Sequence, residues 1–197
     1  MLVIKRLVLG VCATNCYVVK SDKGLFVIDP ADDAPAILKA LEDLGGGEYS
    51  VLLTNAHFDH ILALDGLHPK AVYAHAAEEK ALGDPYYNVS AQAGEAMVRQ
   101  AEITPVGEGD VVGPFRVLHT PGHRPGCLCF YDEEDGVLFS GDTLFAGGYG
   151  RLDLPEAEPQ VMLASIQRLL SLPKSTRMYS GHGDETTIGR EAEVWAR

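Results

Sequence analysis

The stretch Thr54-Asn55-Ala56-His57-Phe58-Asp59-His60 constrains this chain more than any other. It follows the apolar run Tyr49 to Leu53, which predicts a buried strand. Two imidazoles and a carboxylate within four residues can bind a cation, and a turn of this spacing can aim His57 one way and Asp59 with His60 another. Such donors suit Zn, Fe or Mn, with Zn the commonest occupant of sites of this kind. Taken alone, the stretch also admits the reading of a polar loop after a strand, the lesser of the two; the downstream sequence decides between them.

Three further motifs each put one candidate ligand at the end of an expected strand. Thr120-Pro121-Gly122-His123 follows a β-patterned run, Phe139-Ser140-Gly141-Asp142-Thr143 ends an apolar run in a carboxylate, and Tyr179-Ser180-Gly181-His182-Gly183 flanks a histidine with glycines. Glycine at such points permits close backbone approach or positive φ. His68, His75 and His119 lack this punctuation and read as structural.

Between these motifs the pattern alternates strands with helices. Strands are expected at 2–9, 14–20, 25–28, 49–53 and 71–75, and a helix capped by Asp33 over Ala34 to Leu44, with Ile37, Leu38, Leu41 and Leu44 on one face. A short helix starts near His60 and another runs through Leu82. β patterns dominate 102–106, 111–120, 127–132 and 137–140. A helix follows over Glu156 to Leu172, then a strand at 177–180 and a polar tail from Gly181. The order implies helices flanking two packed sheets in one domain spanning 1–197.

The formal charge of −12, with Lys and Arg scattered, excludes nucleic acid and anionic membrane as natural partners. No stretch approaches the ~20 apolar residues of a membrane span. The run Leu7 to Val11 is shorter than a signal-peptide core, and a cytoplasmic location is expected. Cys12, Cys16, Cys127 and Cys129 match no zinc-ribbon spacing and read as buried free thiols.

At these motifs the chain resembles the metallo-β-lactamase superfamily, and within it the short glyoxalase II-like (hydroxyacylglutathione hydrolase-like) hydrolases. The signature His-x-His-x-Asp-His followed by separate His, Asp and His maps onto Asn55, His57, Asp59, His60, His123, Asp142 and His182. Gly150-Arg151-Leu152-Asp153 and Thr186-Thr187-Ile188-Gly189 supply further context. The resemblance spans Asp29-Pro30 to Glu191 and implies a four-layered αββα sandwich of α/β (α+β) class, without the C-terminal helical domain of full-length glyoxalase II. It also implies one or two metal ions, Zn with Fe or Mn as options. One site would use the residues matching the first histidine, His57 and His123; the other, those matching Asp59, His60 and His182; Asp142 would bridge them.

The departures lie at Asn55, which replaces the first histidine with an amide that ligates Zn poorly, and at Arg124-Pro125-Gly126-Cys127 after His123, where the family usually reads Thr or Ser. By the same resemblance Asn55 counts against a persulfide dioxygenase. The implied activity is metal-dependent hydrolysis of a thioester or other acyl ester of a small molecule. Asp59 would orient water, His57 and His123 would serve as bases in a one-metal enzyme, and Arg151 would bind a substrate carboxylate or pair with Asp153. A lactonase or other esterase is the alternative within the class. A catalytically silent metal- or ligand-binding protein is the alternative outside it.

Overall fold

A computed structural model of the protein describes residues 1–196. Twelve strands form two six-stranded sheets. The first holds β1 (Val3–Leu9), β2 (Thr14–Ser21), β3 (Gly24–Ile28), β4 (Tyr49–Leu52), β5 (Val72–Ala74) and β6 (Ile103–Pro105), in that spatial order. The second holds β7 (Val111–Val112), β8 (Phe115–His119), β9 (Leu128–Asp132), β10 (Val137–Gly141), β11 (Arg177–Ser180) and β12 (Thr186–Thr187), likewise side by side. β1 to β3 are antiparallel, whereas β3 to β6 run parallel and need crossovers. Helix α1 (Ala34–Asp43) makes the first crossover, and α4 (Pro159–Leu170) joins the parallel pair β10 and β11. The short α2 (Phe58–Ile61) and α3 (Glu79–Leu82) and the last helix, α5 (Ile188–Trp195), complete the set.

Period-two alternation along the strands produces the layers. In β2, Tyr17 and Val19 pack between the sheets, while Cys16 and Val18 pack under α1 against Ile37, Ala40 and Leu41. In β9, Leu128 and Phe130 face the partner sheet, while Cys129 and Tyr131 meet Met162, Ile166 and Leu169 of α4. Phe26 of one sheet lies edge-on to Phe115 of the other at 5.4 Å. Two sheets with a helical layer outside each give the expected αββα sandwich.

Asp33 caps α1 as its position predicts, its carboxylate accepting the Ala36 N–H at 3.1 Å. Four local expectations need correction. The run 111–120 divides into β7 and β8, because Gly113 turns the chain with φ +57 ahead of Pro114. The helix expected from Glu156 starts at Pro159, whose fixed φ suits a first turn, and Glu158 before it is extended. The polar tail after Gly181 is instead β12 and α5, anchored by buried Ile188 and Glu191. Cys12 is exposed at the tip of the β1–β2 hairpin; the other three cysteines are buried and free. Among the described residues no helix is long and apolar enough to cross a membrane.

Candidate metal centre

The ligand-bearing turns converge at one end of the sandwich. β4 runs out into the 54–57 turn, and His57 then stands at the N-terminal end of α2, which carries Asp59 and His60. His123 follows β8, Asp142 follows β10, and His182 follows β11. Their donor atoms fall into two groups, His57 with His123 and Asp142, and Asp59 with His60 and His182. All six sequence-derived ligands therefore meet.

Asp142 Oδ2 lies 3.3 Å from His123 Nε2 and 3.4 Å from His60 Nε2. Asp59 Oδ2 lies 3.3 Å from His182 Nε2 and 3.7 Å from His60 Nε2. Ligands around a tetrahedral Zn at its usual bond lengths stand about 3.3–3.5 Å apart, so three of these edges fit such an ion and the Asp59–His60 edge is a little long. His57 Nδ1 and His123 Nε2 are closer, at 2.9 Å. Asp142 Oδ1 and His57 Nε2 are buried without a hydrogen-bond partner. Buried polar atoms are rarely left so, and a cation would satisfy the carboxylate oxygen.

The glycine punctuation has a steric cause. A Cβ on Gly181 would collide with Asp142 Oδ1, and one on Gly150 would meet the Asp142 carbonyl and lie 2.8 Å from His123 Nδ1. The ligands occupy the space that a side chain would need.

Charge divides the two groups. Burial, reinforced by His123 and Arg124, pushes His57 well below its ordinary pKa, and burial also lowers His123, so both are neutral and ready to ligate. His60 is raised well above its ordinary pKa: burial opposes its charge, but Asp142, Asp59 and Asp29 outweigh it. His182 is raised likewise, by Asp59 and Asp142 against the cost of burial. Against that same cost, His60 holds Asp59 and Asp142 far below the usual carboxylate range. The histidines of the second group are thus the more basic of the two sets, surrounded by carboxylates that favour a positive charge there.

Several supporting residues went unread in the sequence. Asp29 Oδ2 lies 3.0 Å from His60 Nδ1, and the same carboxylate accepts the Thr54 N–H (2.8 Å) and hydroxyl (2.6 Å). Thr14 donates to Asp59 Oδ2 at 2.7 Å. The Arg151 carbonyl lies 2.8 Å from His123 Nδ1, which fixes His123 Nε2 as the ligating nitrogen. The position of Asp29, a carboxylate ending an apolar strand, was the one available signal.

Asn55 is fully buried. Its Oδ1 accepts the His57 N–H at 2.9 Å and its amide nitrogen lies 3.4 Å from Thr54 Oγ1. It shapes the turn, and it is absent from the cavity lining. The groups open into a cavity of about 690 Å³ whose walls include Phe58, Val89, Phe145 and Leu154, together with Cys12 and Arg151. Arg151 Nε and Nη2 donate to the two Asp153 oxygens at 2.7 Å each.

A two-sheet sandwich with two His/Asp ligand groups sharing a carboxylate at its edge defines a metallo-hydrolase fold with a divalent-metal site. The chain belongs to the metallo-beta-lactamase superfamily, whose family model matches residues 9–182. It is similar to the probable metallo-hydrolase YqgX of Bacillus subtilis, 36% identical over 96% of this chain and 94% of that one. Hydroxyacylglutathione hydrolase GloC of Haemophilus influenzae is 31% identical over 90% and 89%. Among solved structures, TTHA1623 in a di-iron-bound form superposes with a TM-score of 0.89 at 38% identity, covering 96% of this chain and 98% of that one. The BLEG-1 B3 metallo-beta-lactamase gives 0.90 at 38%, covering 97% of each.

Proposed function

We propose that the protein is a metal-dependent hydrolase of thioesters or other acyl esters of small molecules, working with Zn, or with Fe or Mn, in the cytoplasm. The observation that carries this reading is Asp142 Oδ2, poised between His123 and His60 at the floor of a cavity large enough for a small acyl ester. The kinship with a hydroxyacylglutathione hydrolase favours the thioester. The di-iron form of TTHA1623 favours a metal and leaves iron open beside zinc.

His57, Asp59, His60, His123, Asp142 and His182 would hold the metal. When bound, it supplies Lewis acidity and a water-derived nucleophile at neutral pH. Asp59, fixed by Thr14 and facing the cavity, orients that water through its carboxylate. His57, kept neutral by burial, accepts the proton when the first group carries no metal. Arg151 lines the cavity with Nε and Nη2 engaged by Asp153, which leaves its Nη1 edge for a polar oxygen of the substrate.

Asn55 favours a second reading, a silent binder, because it leaves the first group short of one imidazole. The test is to assay protein of known metal content against thioester, lactone, β-lactam and phosphodiester panels. Thioester or ester turnover that follows metal content supports hydrolysis of acyl esters. Silence on every panel at full occupancy would leave the binder.

A further inference from the structure

Two segments that line the cavity contain non-glycine residues in left-handed backbone conformation. Val89, a β-branched residue, has φ +59 and lines the cavity itself. Glu156 has φ +66 and lies two residues beyond Leu154, another lining residue. Such conformations persist only where their surroundings hold them.

One buried guanidinium reaches both segments. Arg124, fully buried, donates from Nη1 to the Tyr87 carbonyl at 2.7 Å and from Nη2 to Glu156 Oε2 at 3.4 Å. Its Nε donates to Glu78 Oε2 at 2.6 Å. Glu78, also fully buried, accepts the N–H groups of Ala56 (2.8 Å) and Gly126 (3.0 Å), so it fastens the turns that carry His57 and His123. Lys80 closes the cluster, 3.2 Å from Glu156 Oε1 and 3.4 Å above the Tyr87 ring. The other ends of Arg124's contacts are turns, short helical caps and loops, none of them a core strand. A buried ion pair contributes little net stability, but removing one partner is costly because the other charge is left buried and unpaired.

We propose that Arg124 is a positioning residue: it fastens the cavity-lining segments 87–93 and 154–156 to the loop bearing His123, and so shapes an apolar subsite at Val89 and Leu154 for the acyl chain of the substrate. The chain-selecting part rests on the acyl-ester reading above; the fastening does not. Val89, Ala93 and Leu154 offer no charge to a ligand, which suits an alkyl or aryl acyl group over a second carboxylate.

Arg124→Lys keeps the charge and loses the fork that reaches three partners at once. Because that site is buried and the variant could fail to fold, Glu156→Gly is the second arm. Glycine accepts the positive φ without strain, and Arg124 keeps Glu78. In metal-loaded protein, amide exchange should quicken in 87–93 and 152–158 for Arg124→Lys, and in 152–158 for Glu156→Gly, by roughly 5-fold, the loss expected of one part-exposed ion pair. For Glu156→Gly, with N-acetylcysteamine thioesters, KM for an octanoyl substrate should rise about 5-fold while kcat and the acetyl substrate change little, at unchanged metal content. Unchanged exchange in folded Glu156→Gly protein overturns the fastening, and an unaltered chain-length preference overturns the subsite. If wild type hydrolyses no ester at all, the acyl-ester reading fails; exchange still decides the fastening, and calorimetric binding of octanoate against acetate decides the subsite.

Discussion

Replacing Asn55 by histidine tests the asymmetry of the centre. A histidine at 55 can accept the His57 N–H through Nδ1, as His75 accepts the Ala77 N–H, whereas Asn55→Ala deletes that hydrogen bond, a fully buried contact of 2.9 Å. Such a loss costs about 1 kcal/mol, or roughly 2–4 °C in Tm for a chain of this size. Stripped of metal, Asn55→Ala should therefore melt below wild type, with Asn55→His closer to it. They should part further when metal is added. His57, His123 and Asp142 already converge within one ligand group, so a third imidazole completes it. A ligand held at a hundred times its dissociation constant stabilises by about 2.7 kcal/mol, worth roughly 5–11 °C on the same scale. Thermal scans across a zinc titration, with metal counted in dialysed protein, read both effects. Asn55→His should gain one metal per chain and a second stabilising step, and Asn55→Ala should gain neither. One metal per chain in both variants, with identical zinc dependence, would refute the placing of residue 55 beside the first group.

Asp142→Ala should leave folded protein that retains no tight metal in either group, since its carboxylate alone touches both; metal analysis after dialysis checks this. Asp29→Asn should weaken the tighter metal-binding event by about 10- to 100-fold, the usual effect of losing a carboxylate behind a ligating histidine, and leave the weaker event unchanged in a calorimetric titration. His75, outside both ligand groups, is lowered by burial and then by His119 stacked on it at 4.4 Å, so the folded protein resists protonating it. Its contribution is present above the unfolded histidine pKa of about 6.5 and is lost as pH falls below that value. His75→Asn, which can still cap the Ala77 N–H, should lose less of its urea midpoint than wild type between pH 7.5 and 5.5.

What could be read in the sequence was what is local. Each ligand sits in a short frame of Gly, Pro or Thr at the end of an apolar run; at Gly181 and Gly150 the ligands themselves crowd the backbone, while at Gly122 and Gly141 the neighbours are Met162 and Thr54. Strand alternation fixes which side chains meet between the sheets, so the sandwich followed from pattern and resemblance together. What escaped notice joins residues far apart in the chain. Thr14 reaches Asp59 across 45 positions, Arg124 reaches Glu78 across 46, and Glu78 reaches Ala56 across 22. No window of sequence contains such a pair. The last helix was missed for a different reason: Gly189 weakens its propensity, and a Glu/Arg-rich stretch shows too few apolar positions for a helical period. Its buried Glu191 accepts the Gly147 N–H and the Thr186 hydroxyl, contacts that replace apolar packing.

The two ligand groups differ in their support as much as in their number of imidazoles. Behind His60 stands a carboxylate, Asp29, 3.0 Å from Nδ1 but without hydrogen-bond geometry to it, which raises the basicity of the ring through its charge. Behind His123 stands only the neutral Arg151 carbonyl, and His57 Nε2 has no partner. Three carboxylates, Asp142, Asp59 and Asp29, face the positive charge on His60, whereas His57 and His123 feel the nearby Arg124 as a repulsion. A dication placed in the second group meets carboxylates that favour positive charge there. One placed in the first meets neutral rings, a shared carboxylate and a buried guanidinium. Electrostatics and ligand count thus rank the groups in the same order, and the loss of the imidazole at position 55 falls on the group that was the weaker by its surroundings alone.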